Sequence, residues 1–227
     1  FAEKWGLGPL DLWRQARRNV YVYSAAGLLV AFWLSWFILR PGPLQVHFID
    51  VGQGDATLIV TPNRRAVLVD AGGALGLQND FDVGERVVVP YLRHVGVNQI
   101  DWLILTHNHQ DHAGGAAAVA AFVGVRQALL HQEQPVPAAI LRLQQAMQFH
   151  NLHSPEELAE IELDGVRLEL LQAGEPTASA SENGRSTVVR LSYRRHQFLL
   201  TGDLEGESEK KLMQLSQLTA TVLKVGH

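Results

Sequence analysis

The chain has 227 residues, 47% of them hydrophobic, a formal net charge of −4 and no cysteine. That length allows one sizeable domain and some extra. The missing cysteine excludes disulfides and thiolate metal sites, and the acidic balance argues against a surface that grips nucleic acid by charge alone.

Phe1 in place of an initiating Met, and an end at His227, predict a piece cut from a longer protein. Residues 1–19 mix Trp5, Leu10, Leu12 and Trp13 with Lys4, Arg14, Arg17 and Arg18. They read as a juxtamembrane segment, either a helix lying at the interface or a cytoplasmic loop. Residues 20–39, VYVYSAAGLLVAFWLSWFIL, carry no charge, and the stretch 20–40 is predicted to be a transmembrane helix. Twenty helical residues cover roughly 30 Å, the thickness of a bilayer core. Trp33 and Trp36 lie towards one end, where indole favours the interface. A signal peptide fits less well, because no small-residue cleavage site follows the long apolar run. Three arginines precede the span and Arg40 alone follows it closely. Excess basic charge stays on the cytoplasmic side, so the next domain is expected outside the bacterial inner membrane, on its periplasmic or extracellular face.

Pro41-Gly42-Pro43 stops the helix. From residue 41 onward there are 14 Lys/Arg against 21 Asp/Glu, and all ten histidines lie in this region. The domain is predicted to span 44–227. Leu44–Asp50, Ala56–Val60 and Ala66–Val69 are short runs with Gly or Pro breaks, read as strands of one antiparallel sheet. Gly52-Gln53-Gly54 lacks the Gly and Lys of a phosphate loop, so a tight turn carrying Asp50 and Asp55 is favoured. Residues 84–95 read as a helix, with Asp82 as a possible cap and Pro90 as a kink. Trp102–Thr106 is a predicted strand, and Ala116–Val123 and residues 138–149 are predicted helices. In 161–171 the Asp164-Gly165 pair marks a hairpin. Ser186–Ser192 and Gln197–Thr201 follow as strands, Glu207–Gln217 as a helix and Thr221–Val225 as a last strand. Strand groups in both halves with helices after each predict an α+β fold of two packed sheets with helices outside.

Residues 106–115 read THNHQDHAGG, directly after an apolar strand. Neutral imidazole suits zinc, manganese or iron, and carboxylate adds charge. His107, His109, Asp111 and His112 are therefore candidate metal ligands. A rigid strand end is where such side chains can converge.

His-x-His-x-Asp-His resembles the signature of the metallo-β-lactamase superfamily. The resemblance implies an αββα sandwich and a two-ion divalent site, zinc or manganese. It implies that Asp70, in Leu-Val-Asp-Ala-Gly, orients the metal loop without binding metal. It also implies that Asp203, in Leu-Leu-Thr-Gly-Asp, bridges both ions and that His227 is the last metal ligand. Asp55 is expected behind the ligands. A narrower likeness lies in Phe48-Ile-Asp-Val-Gly-Gln-Gly-Asp55, Gly84-Glu-Arg-Val-Val-Val-Pro-Tyr91 and Val222-Leu-Lys-Val-Gly-His227. These look like the ComEC group, DNA-internalisation competence proteins whose membrane region carries a lactamase-like domain. This chain would then be such a domain, incomplete at its C-terminus, with the preceding helix of a multi-pass protein.

The wider superfamily has a further histidine between the metal loop and the bridging aspartate. His131, His150, His153 and His196 are available by position, none within a matching motif. The competence group instead carries Asn-x-x-Ser, which Asn183-Gly-Arg-Ser186 resembles, so Asn183 and Ser186 are candidates to hydrogen-bond substrate, water or a neighbouring ligand. The expected activity is metal-dependent hydrolysis of DNA by activated water. In that reading His107 and His109 hold one ion, Asp111 and His112 the other, and Asp111 and Asp203 are the catalytic carboxylates. DNA, the membrane and other uptake proteins are the expected partners. A carbonyl hydrolase acting on an ester, thioester or lactam, and a non-catalytic DNA-guiding module of an uptake channel, are the competing readings.

Overall fold

The computed structural model describes residues 9–74, 81–172, 181–214 and 218–226. Two compact units emerge, Phe1–Pro41 and Gly42–His227. The first is helix α1, Pro9–Leu39. Pro9 opens it, where a missing N–H costs nothing. The stretch Trp13–Phe37, 25 residues, is long and apolar enough to cross a membrane by length and composition. No break separates residues 9–19 from 20–39, although the sequence predicted a boundary there. Arg17 reaches back over the Trp13 ring, 4.6 Å from its centroid, and forward to the Tyr21 hydroxyl at 3.0 Å. Those four-residue steps hold the first turns helical.

The second unit is built on two sheets. The first has the order β1 (Gln45–Phe48), β2 (Thr57–Val60), β3 (Ala66–Val69), β4 (Ile100–Ile104), β5 (Val125–Leu129), β6 (Leu152–His153). β1 to β3 are antiparallel, as the Gly and Pro breaks predicted, and β3 to β6 run parallel. Parallel neighbours need crossovers. Helices α2 (Val89–His94), α4 (Ala116–Phe122) and α5 (Ala138–Ala146) provide them, and the short helix α3 (Gln110–Ala113) precedes α4.

The second sheet has the order β11 (Val222–Lys224), β10 (His196–Leu200), β9 (Thr187–Tyr193), β8 (Val166–Gln172), β7 (Glu160–Leu163). β7 to β10 are antiparallel and β11 joins β10 in parallel. Asp164 and Gly165 have φ of 55° and 74°. Left-handed backbone at both central residues is the turn that Asp-Gly favours between twisted strands.

Helix α6 (Gly206–Gln214) lays Leu212 on Val188 and Leu199 of the second sheet. Val67, Val69, Trp102 and Ile104 meet Leu168, Val189 and Leu191 between the sheets. Leu68, Leu103 and Leu105 face the other way, onto Leu92, Val119 and Leu143 of the helices. The layers are therefore helix, sheet, sheet, helix. β3 and β4 are buried on both faces, which is why β3 is a continuous apolar run and β4 is broken only by Asp101, which accepts from Arg65 Nε and the Ala66 N–H. Leu103→Ala leaves a hole in the helix–sheet layer. Urea unfolding is expected to show a loss of about 2–5 kcal/mol, and an unchanged midpoint would contradict that packing.

The predicted helix over 84–95 is two pieces. Gly84–Val88 form a π turn, closed by the Val89 N–H on the Gly84 carbonyl, and α2 follows with Pro90 in its first turn. The wider turn accommodates a proline that lacks an N–H and would crowd the preceding carbonyl. Asp82 caps this region by accepting from the Glu85 N–H at 3.0 Å. β5 and β6 were not foreseen: Val125-Arg-Gln is only partly buried, and β6 is two residues long. The helix predicted over 138–149 ends at Ala146. The last three residues of the one predicted over 207–217 lie outside the described residues.

Candidate metal centre

The loop after β4 is held from behind by Asp70, at the end of β3. Asp70 has φ 58°, a left-handed conformation that aspartate tolerates, and is 1% exposed. One of its oxygens accepts from the Thr106 N–H at 2.8 Å. The other accepts from the Thr106 hydroxyl at 2.8 Å and pairs with His112 Nδ1 at 2.9 Å. A carboxylate saturated by three donors orients its neighbours.

Hydrogen-bond accounting then assigns the ring protons. The Thr106 hydroxyl spends its proton on Asp70, so at its 3.1 Å contact with His107 Nδ1 it can only accept. His107 therefore carries its proton on Nδ1 and turns an Nε2 lone pair inward. His109 Nε2 lies 3.0 Å from Glu182 Oε2, which puts its proton there and leaves a lone pair on Nδ1. These two inward atoms, His107 Nε2 and His109 Nδ1, are 3.1 Å apart. His112 donates through Nδ1 to Asp70, and its Nε2 faces Asp203 Oδ2 at 3.3 Å. The first pair sets two acceptors against one another, an arrangement that repels unless a cation lies between them, and the second sets a ring nitrogen on a carboxylate, where a cation also belongs. Two nitrogens on one zinc, each at about 2.0–2.1 Å, sit about 3.3 Å apart in tetrahedral geometry. The donor set fits a divalent metal.

The protonation energetics separate the two buried rings. Burial, then the charge of His112, lowers the His107 pKa to about 4, so this ring stays neutral and ready to ligate. Burial also works against charge on His112, but hydrogen bonds to Asp203 and Asp70 outweigh it and raise that pKa to about 10. Without a metal, a proton is the cation between His112 and Asp203.

Among the described residues, donor atoms lie within 4.8 Å of one another in two groups, His107–His112–Asp203 and Asp55–Asp70–His112. The second already has its positive partners. Asp70 is saturated, and Asp55 is ion-paired with Lys224 of β11. The first remains as the candidate centre, with His109 in contact through His107. Asp111 is buried on α3 beside these groups and belongs to neither. His227 lies outside the described residues. Gly226 packs against Asp203, where an added Cβ would press on both its side chain and its backbone.

Close backbone approach holds the loop down. A Cβ on Gly54 would collide with the Asp111 carbonyl, and one on Gly73 with that of Gln110. The Gly52–Gly54 stretch is a turn, with Asp50 accepting from the Gly52 N–H at 3.1 Å. The Asp55 N–H reaches the Asp111 carbonyl at 3.3 Å. The two sheets are joined at the same place: the Thr187 N–H donates to the Thr106 carbonyl at 2.8 Å, and His131 Nε2 lies 2.9 Å from Thr187 Oγ1.

Of the four histidines available by position, His131 is thus a partly buried brace between the sheets. Burial lowers its pKa. His153 packs on Trp102, with ring centroids 5.3 Å apart. His150 and His196 are exposed. Asn183 and Ser186 flank a 3₁₀ turn, Asn183–Arg185. Asn183 Oδ1 and Ser186 Oγ are buried without a hydrogen-bond partner among the described residues. A cavity of about 780 Å³ opens beside Asn183 and Asp203, walled by Leu199, Leu212, Leu223 and Val225.

Three contributors escaped the sequence reading: Thr106, Glu182 and Lys224. Thr106 stood inside the metal loop and Lys224 inside a quoted motif. Glu182 directly precedes Asn183, so its position was the available signal.

The sequence matches the metallo-beta-lactamase superfamily over residues 49–227. It is 31% identical over 198 residues to ComE operon protein 3 of Bacillus subtilis, covering 81% of this chain and 25% of that protein. It is 30% identical over 182 residues to Competence protein ComA of Neisseria gonorrhoeae, covering 78% of this chain and 23% of that protein. The chain therefore spans about a quarter of the length of these relatives. A solved Cronobacter sakazakii metallo-beta-lactamase with a HARLDQ motif shares the fold, with TM-score 0.54 and 14% identity, covering 82% of this chain and 80% of that one. With two packed sheets between helices, a His-x-His-x-Asp-His loop at the end of β4 and an aspartate brought to it from beyond β10, the chain belongs to the metallo-beta-lactamase superfamily, with ComEC-type competence proteins among its relatives.

Proposed function

We propose that this chain is the hydrolase part of a DNA-uptake protein of the bacterial inner membrane, a metal-dependent phosphodiesterase that cuts incoming DNA. The observation that carries the hydrolase reading is the convergence of the facing ring nitrogens of His107 and His109 with His112 on Asp203. His107 and His109 would hold one ion, Asp111 and His112 the other, with Asp203 between them and His227 completing the set. Zinc or manganese bound there would polarise a phosphoryl oxygen and make water acidic enough to attack.

The chain's own residues do the remaining work. Asp70 fixes the His112 tautomer directly and the His107 tautomer through Thr106. Asn183 and Ser186 offer buried oxygens without a partner among the described residues for hydrogen bonds to substrate. The cavity beside Asp203 gives room for the parts of the substrate away from the reacting phosphate. DNA as substrate, and other uptake proteins as partners, come from the competence relatives. The long apolar stretch of α1 supports a membrane anchor, and Arg14, Arg17 and Arg18 at its N-terminal end support a catalytic domain on the outer face.

The test is turnover by the full chain in detergent, loaded with manganese or zinc. End-labelled single- and double-stranded oligonucleotides run beside a thioester and a lactam. Metal-dependent cleavage of the oligonucleotides is expected. Turnover of the thioester or lactam alone would overturn the phosphodiesterase assignment in favour of a carbonyl hydrolase.

A further inference from the structure

His109 is the most exposed ring of the metal loop. Its side chain is 42% accessible, and it stands at the N-terminal boundary of α3, free of the buried brace that fixes His107 and His112. A ring in that position needs a partner to keep one rotamer and one tautomer. The only charged group at its outer nitrogen among the described residues is Glu182, with Oε2 3.0 Å from Nε2. We propose that Glu182 is a positioning residue for the metal centre: its carboxylate accepts a hydrogen bond from the His109 Nε2–H and so aims the Nδ1 lone pair at the position faced by His107 Nε2. This rests on the metal reading of the site given above.

The placement of Glu182 is built. Ser181 Oγ accepts from the Gly184 N–H at 3.0 Å and donates to Glu205 at 3.1 Å. The Arg185 N–H closes a turn onto the Glu182 carbonyl at 3.1 Å, and the Arg185 side chain is tied to Glu133 at 3.0 Å. A half-buried carboxylate held against one imidazole is a costly arrangement for a surface ion pair of little worth. It is the expected one for a carboxylate–histidine–metal relay, in which an acidic partner fixes the ring and makes its lone pair more basic. His107 is oriented from the first sheet, through Thr106 and Asp70. His109 is oriented from the segment leading into β9 of the second sheet. That segment also carries Asn183 and Ser186, so substrate contacts and the aim of His109 share a few residues of backbone.

The experiment is a metal titration of the full chain in detergent, independent of turnover. Cobalt binding is followed by its visible absorption, and zinc binding by competition with a chromophoric chelator. Glu182→Ala is expected to weaken the affinity by about 10- to 100-fold, with the metal-free melting temperature unchanged. Glu182→Gln keeps an acceptor for the Nε2 proton and is expected to restore most of the affinity. Glu182→Met, of similar volume and without an acceptor, replaces the alanine variant should that one fail to fold. Equal affinity in wild type and the acceptor-less variant overturns the role of Glu182 and leaves the metal site standing. Absence of cobalt and zinc binding by the wild type overturns both.

Discussion

Asp70→Asn lowers hydrolytic turnover by about 10³- to 10⁴-fold while the chain still folds. The size follows from what a wrong imidazole tautomer costs a catalytic centre. Asparagine keeps the shape, tolerates the left-handed backbone at φ 58° and can still accept from the Thr106 N–H through its oxygen. Its amide nitrogen, however, would donate where Asp70 accepts from Thr106 and His112. His112 would have to receive that proton at Nδ1 and carry its own on Nε2, facing Asp203. Thr106 would lose the acceptor that sets its hydroxyl, and with it the assignment of His107. One exchanged atom thus misdirects two ligands. Circular dichroism should show a native fold, metal analysis a depleted centre, and rate measurements the loss. Turnover within tenfold of wild type would mean that Asp70 does not set the tautomers.

Asp203→Ala is expected to remove at least about 10³-fold of the rate. Asp203 is the residue the second sheet brings to the loop of the first, 3.3 Å from His112. On the proposed function, the metal then loses an anionic ligand. His112 also loses one of the two carboxylates that raise its pKa in the metal-free protein. Metal content by emission spectroscopy should fall together with oligonucleotide cleavage. Cleavage near the wild-type rate by a folded variant would remove Asp203 from the centre. Loss of cleavage with DNA uptake retained in cells would instead make the hydrolase dispensable for uptake, leaving the guiding role.

The metal loop was legible because its donors are local: one strand end, six positions, four ligand-type side chains. Asp70 and Asp203 were legible through resemblance, since each stands in a short motif at a strand end. Thr106 was not, because a threonine at the edge of a strand has no distinguishing pattern until its hydroxyl is found between a carboxylate and an imidazole. Glu182 and Lys224 were hidden for a different reason. Each pairs with a residue far away in sequence, and only the packing of one sheet on the other brings them together. The same holds for β5, whose partly buried start disguised a strand that the parallel ladder from β3 to β6 requires. Periodicity reports one face of one element, and these features belong to the meeting of two.

That meeting also fixes when the chemistry becomes available. The histidines come from one sheet and Asp203 from the other, and the Thr187–Thr106 bond ties them only after docking. Contacts so distant in sequence form late on the way to the native state. A chain whose second sheet has not yet docked lacks the His112–Asp203 pair, so on the proposed function it cannot act on nucleic acid until the whole domain has closed.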